Sequence, residues 1–149
     1  MKKMLRVYLI FIGVLFLASC GAKTETMTFV GSPQAGIDST ITYTYKGDKV
    51  LTQTARNVIS YDSLGMSREE ARETLDPLSS QYKDVKGINY NMTYEDKQAV
   101  EKLTIDYEDL DYDKAAKVDG IQIEGNSSKG ISMKKSQELV ESQGYTKQK

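Results

Sequence analysis

Between residues 37 and 45 the chain alternates strictly. Ile37, Ser39, Ile41, Tyr43 and Tyr45 take one side, and Asp38, Thr40, Thr42 and Thr44 take the other. A period of two with β-branched and aromatic content predicts a half-buried strand. Gly47-Asp48 follows where a tight hairpin turn belongs. Val50 to Tyr61 then reads as the partner strand, with Leu51, Ala55, Ile59 and Tyr61 as its inward set. Upstream, Met27 to Val30 is a short apolar run closed by the turn cluster Gly31-Ser32-Pro33.

The period then changes. Ser67-Arg68-Glu69-Glu70 has the spacing of a capping box. Ala71, Leu75, Leu78 and Tyr82 follow at helical intervals, so an amphipathic helix is expected through Pro77, kinked near Glu73–Asp76 where the proline removes a backbone bond. Alternation returns at Ile88, Tyr90, Met92 and Tyr94. Asp96-Lys97 marks a second turn, and Leu103, Ile105 and Tyr107 alternate on the way back. Asp109 to Ala116 reads as a short helix and Val118 to Glu124 as a short extended segment. Ser132 caps a last helix with the face Met133, Ser136, Leu139, Val140 and Gln143, stopped by Gly144.

The two hairpins echo one another. Thr44-Tyr45-Lys46-Gly47-Asp48-Lys49 with Ile59-Ser60-Tyr61-Asp62-Ser63-Leu64 parallels Thr93-Tyr94-Glu95-Asp96-Lys97 with Ile105-Asp106-Tyr107-Glu108-Asp109-Leu110. Each leads into a helix, as a ββα unit used twice would. The expected fold is α+β and two-layered: a mostly antiparallel sheet of four to six strands with two or three helices on one face.

The N-terminus carries a different signal. Lys2, Lys3 and Arg6 precede an apolar stretch from Val7 to Leu17, which is the length of a signal-peptide core and too short for a spanning helix. Leu17-Ala18-Ser19-Cys20 then has the form of a bacterial lipobox, a branched residue and two small ones before the cysteine that takes the lipid. The expected organisation is a signal peptide over 1–19, lipidated Cys20 with a short tether over 20–26, and one α+β domain over 27–149. More than one acyl chain on Cys20 would hold the protein stably at the extracytoplasmic face of the cell membrane.

Without its signal the chain loses three basic residues and keeps 17 Lys and Arg against 21 Asp and Glu, a formal charge of −4. That balance gives no footprint for nucleic acid. No polybasic run is present for anionic lipid, so the lipid on Cys20 is expected to be the membrane contact. The absence of His excludes imidazole bases and triads, and a single Cys excludes an internal disulfide and a cysteine zinc site. No nucleophile elbow or phosphate-cradling glycine loop occurs, and no cofactor or metal is expected. Glu108–Asp113 concentrates carboxylates, yet from Asp109 the positions that a calcium loop reserves for Gly and Glu hold Lys114 and Gly120. The plainer reading is an acid-rich helix start. Tyr43, Tyr45, Tyr90, Tyr94 and Tyr107 form a row on the strands, readable as sheet core or as a binding platform. Asn91-Met92-Thr93 and Asn126-Ser127-Ser128 match glycosylation acceptors that a bacterial lipoprotein leaves silent.

Four stretches together resemble the YehR-type family of bacterial lipoproteins. They are Ile41 to Leu51, Thr74 to Ser79 with Tyr82-Lys83, Leu103 to Asp106, and Lys129 to Met133 with Glu138-Leu139-Val140. The resemblance implies a small α+β envelope lipoprotein, includes Pro77, and carries no catalytic motif to transfer. The expected function is a non-enzymatic binding module for an envelope protein or ligand. The second reading is a small-ligand or divalent-cation carrier built on Glu108–Asp113.

Overall fold

The computed structural model describes residues 22–121, 123, 125–126 and 129–149. The signal segment and Cys20 lie outside the described residues. Five long strands form the frame: β1 (Thr24–Gln34), β2 (Ile37–Lys46), β3 (Lys49–Ser60), β4 (Ile88–Tyr94) and β5 (Gln98–Asp106). Short strands β6 (Gly125–Asn126), β7 (Gly130–Ser132) and β8 (Thr146–Lys147) complete an antiparallel sheet of order β4-β5-β3-β2-β1-β8, with β7 pairing β3 and β6. The helices are α1 (Tyr61–Leu64), α2 (Arg68–Ser80), α3 (Tyr112–Ala115) and α4 (Met133–Ser142). The α+β class holds. Its detail is richer than four to six strands and two or three helices, because the added elements are two to four residues long and too short to show a period.

The sequence echo becomes a geometric one. β3 and β5 are the second strands of the two hairpins, and they pair antiparallel from Thr52↔Asp106 to Ser60↔Gln98. Chain leaving β3 therefore enters α1 and α2 at one end of the sheet, and chain leaving β5 enters α3 at the other. Two buried clusters result on the same sheet face. Ile59, Tyr61, Ala71 and Ala99 pack under α1 and α2. Phe29, Ile41, Tyr43, Val50, Ile105 and Tyr107 pack with Met133 and Val140 of α4 and Ala115 of α3.

The opposite face is solvated. Thr28, Thr42, Thr54, Thr104 and Asn89 stand side by side in register across the five long strands. The Thr28 and Thr42 hydroxyls meet at 2.9 Å. Threonine supplies β-branched stiffness and a hydroxyl for water, which suits a strand face that stays exposed.

Several local expectations change. β1 runs straight through Gly31-Ser32-Pro33 with a register irregularity between Gly31 and Gln34, and the turn falls at Ala35-Gly36. Pairing with β2 holds this segment extended, and Gly31 lies so close to Tyr145 that a Cβ there would sit 2.9 Å from its ring. The strand also starts at Thr24, which shortens the tether expected through Thr26. A bulge in β3 opposite Thr44/Tyr45 turns Val50 inward and makes it fully buried, in place of Leu51. Tyr61 belongs to α1 rather than to the strand. The Ser67–Glu70 capping box is present and α2 continues through Pro77. Its stripe stops early: Leu78 is 46% exposed and Tyr82 lies beyond the helix end. The short helix is α3 alone. Over 118–124 the described residues hold no strand, and 122 and 124 are outside them.

One glycine is fixed by contact. Gly87 sits at φ +83°, and a Cβ there would lie 2.6 Å from Leu110 Cα and 2.8 Å from Leu110 N. Gly65 at φ +66° faces open space. Gly65→Ala should cost about 1–2 kcal/mol from backbone handedness alone. Gly87→Ala adds a backbone collision and should cost clearly more. Urea unfolding of the two variants checks the order, and equal losses would contradict the contact.

Candidate functional site

Between the two buried clusters the inner sheet face is left open. The registers Ser39↔Asn57 and Asn57↔Glu101 place three polar side chains in one row across β2, β3 and β5. Gln53, on the same face of β3, is a fourth polar group, and Ile37, Ile41, Ala55 and Leu103 around the row are apolar. A groove of about 370 Å³ covers this row. Ile41, Ala55 and Leu103 extend its floor. Leu139 and Val140 of α4, with Gln143 and Tyr145 just after it, form one wall, and Tyr82 with Gly120 forms the other.

Each wall has a local cause. Gly144 at φ +88° ends α4 and turns the chain so that Tyr145 is buried and β8 can pair with β1. On the other side Tyr82 leaves α2, stacks on Tyr90 at 4.5 Å between ring centres, and donates its hydroxyl to the Asp119 carbonyl at 3.2 Å. Gln81 Oε1 accepts from the Asp119 amide at 3.1 Å, which ties the same loop to the end of α2.

Glu101 is the charged group of the groove. Its carboxylate accepts from Asn57 Nδ2 at 2.5 Å, and its charge acts on the nearby Tyr90 hydroxyl. Burial, and then the Glu101 charge, push the Tyr90 phenol far above its usual range. Both keep it a neutral donor. Tyr43 is raised to about 12, first by burial and then by Tyr145, and so it also stays protonated. A half-buried acid held by a neutral amide donor beside aromatic rings can orient a polar or cationic ligand group.

The five-tyrosine row is thus divided. Tyr43 and Tyr107 are buried, and Tyr107 donates to Gln53 Oε1 at 2.7 Å. Tyr45 reaches Glu25 at 3.4 Å, and Tyr94 donates to Asp76 at 2.7 Å under the Arg72 guanidinium. Only Tyr43 of the row lines the groove. Tyr82 and Tyr145, which do line it, sit on no strand of the alternating pattern. Ser39, Asn57 and Glu101 did have a signal, as polar residues at inward positions.

The Glu108–Asp113 carboxylates are not brought together. Glu108 pairs with Lys49 at 3.0 Å, and Asp109 pairs with Lys86 at 2.5 Å. Asp111 caps α3 by accepting from the Lys114 amide at 3.0 Å. Among the described residues no three acidic or thiol groups converge on a metal-sized point. Two Ser-x-x-Lys spacings, Ser80–Lys83 and Ser132–Lys135, are structural as well. The Ser80 hydroxyl donates to the Pro77 carbonyl and the Ser132 hydroxyl to Asp48, both at 2.7 Å.

The chain belongs to the family described as protein of unknown function (DUF1307), which matches residues 25–146. It is 42% identical to the uncharacterized lipoprotein Lmo0207 of Listeria monocytogenes over 97% of this chain and 95% of that protein. It is 37% identical to the uncharacterized lipoprotein YehR of Escherichia coli over 89% and 87%. The NMR structure of YehR superposes with a TM-score of 0.71 at 36% identity, covering 85% of this chain and 92% of that one. A Streptococcus pneumoniae protein, at 19% identity and TM-score 0.60, shares the fold. The resemblance to YehR-type lipoproteins is therefore real along nearly the whole domain.

Two predictions follow from this geometry. Glu101→Ala leaves the Asn57 amide unpaired in a half-buried position and should cost about 1–3 kcal/mol. Glu101→Gln keeps an acceptor and should lose less; equal losses in urea unfolding would refute the pairing. Asp48 accepts from Ser132 Oγ and from the Lys134 amide at 2.8 Å, and these contacts, the amide first, hold its carboxyl below the usual value. A lowered folded-state value means that the stabilisation is present above the ordinary carboxylate range and fades as pH falls through the lowered one. Asp48→Asn should therefore flatten part of the stability loss below pH ~4, seen as a smaller drop in melting temperature on acidification.

Proposed function

We propose that this chain is a lipid-anchored, extracytoplasmic binding protein that uses the sheet groove and performs no chemistry of its own. The observation that carries the reading is the polar row of buried Ser39 and partly exposed Asn57 and Glu101 on a face otherwise covered by helices. A sheet face closed for stability alone is filled with apolar groups, and a carboxylate placed there favours a ligand. The groove's acid is held by a neutral amide donor, and among the described residues no second carboxylate lines the groove, which argues for binding over acid–base catalysis. The lipobox at Leu17–Cys20, in a family whose named relatives are lipoproteins, supports the anchor and the envelope location.

Amide NMR spectra of the protein with cell-wall fragments test the groove. Shifts are expected at Ser39, Asn57, Glu101, Leu103 and Leu139, with the outer-face threonines silent. Shifts confined to Thr28, Thr42, Thr54 and Thr104 would move the site to the other face. Intact mass of the membrane-extracted protein tests the anchor: Cys20 should carry acyl chains, and Cys20→Ser should leave the membrane fraction.

A further inference from the structure

Beyond the pairs Lys2-Lys3 and Lys134-Lys135 the sequence has no lysine run, yet the fold assembles a basic corner where the chain enters the domain. β1 begins at Thr24, which pairs with Lys46 at the end of β2, so Lys23 stands beside the β2–β3 turn. Ala22 lies against that turn, its Cβ 4.0 Å from where a Cβ on Gly47 would be. The first turn of α4 docks on the same place, through the Asp48 bonds to Ser132 and Lys134 and a 2.7 Å bond from the Met133 amide to the Asp48 carbonyl. Lys23, Lys46, Lys134 and Lys135, from three separate segments, are all exposed there.

The opposing charges are few. Asp48 is engaged by α4, and Glu25 by the Tyr45 hydroxyl at 3.4 Å. Lys134 has only an exposed 4.0 Å pair with Glu138, and such surface pairs hold weakly. Lys23 and Lys46 have no ion pair among the described residues. The acid-rich Glu108–Asp113 segment is at the same end of the sheet but follows β5, two strand positions from β2. The strands themselves are about 10 Å apart, but Glu108 reaches Lys49, the partner of Lys46 across the turn. There Glu108 and Asp109 are paired with Lys49 and Lys86.

We propose that this corner is a contact surface for anionic phospholipid headgroups and sets the orientation of the domain on the membrane. The proposal rests on the lipid-anchored reading above. Only Gly21 separates Ala22 from Cys20, so the acylated residue is within about 7 Å of Ala22 at the edge of this corner. That is inside the screening length of physiological salt, about 8 Å. The lysines then meet the lipid phosphates directly, while the Glu108–Asp113 side is repelled and lifts. The domain tilts about its β1 corner.

The test uses the full lipidated protein inserted into vesicles of phosphatidylcholine alone or with phosphatidylglycerol. A membrane-impermeant amine reagent and peptide mass spectrometry read each lysine. Lys23, Lys46 and Lys134 should label about threefold more slowly in the anionic vesicles, with the difference lost at high salt. Lys97 and Lys102, at the far turn and on the outer face, should not change. The triple variant Lys23→Gln/Lys46→Gln/Lys134→Gln, checked for native circular dichroism, should label Lys135 equally in both vesicles. Equal labelling of the wild-type lysines on a protein with acylated Cys20 overturns the orientation and leaves the anchor standing. An unacylated Cys20 overturns the anchor and this proposal with it. Protection by soluble polyphosphate but not by phosphatidylglycerol assigns the corner to a wall polyanion and overturns the lipid reading.

Discussion

The antiparallel pairing of β3 with β5 is the constraint on which the other features depend. It joins two hairpins through their second strands, so the chain leaves the sheet in opposite directions from the two units. Helices then cover the two ends of one face, and each end forms its own buried cluster. A gap between them follows from the topology. Had the hairpins joined through their first strands, the covering helices would start at the sheet's edges instead of its centre.

That gap is where the sheet departs from the hydrophobic pattern. Burial of apolar surface drives sheet and helices together, at roughly 25 cal/mol for each Å² removed from water. Ser39, Asn57 and Glu101 add nothing to that term, and they need partners to be tolerated there. The structure supplies a partner to Glu101 from Asn57, and the Glu101 charge faces Tyr90, which is itself stacked on Tyr82. Groove wall and floor are therefore one connected network. A ligand would meet a preorganised surface, and ordering costs on binding would be small.

The outer face and the entry corner show how distribution matters more than composition. A mildly acidic domain has a lysine corner because three segments meet at the β2–β3 turn, and Asp48 is the residue that fastens them. The Glu108–Asp113 carboxylates, dense in the sequence, are dispersed onto separate lysines and a helix cap.

The strictly alternating β2, both hairpin turns, the Ser67–Glu70 capping box and the Ser132 cap were legible because each is a local relation among neighbouring residues. So was the paired ββα plan. The bulge that exchanges Leu51 for Val50, the continuation of β1 past Gly31-Ser32-Pro33 and the exposure of Leu78 were not, since each is decided by a partner distant in sequence. The groove and the lysine corner belong to the same class. Periodicity fixes which face of an element is apolar, but which faces meet and which polar residues are gathered in the space between depends on strand order and register.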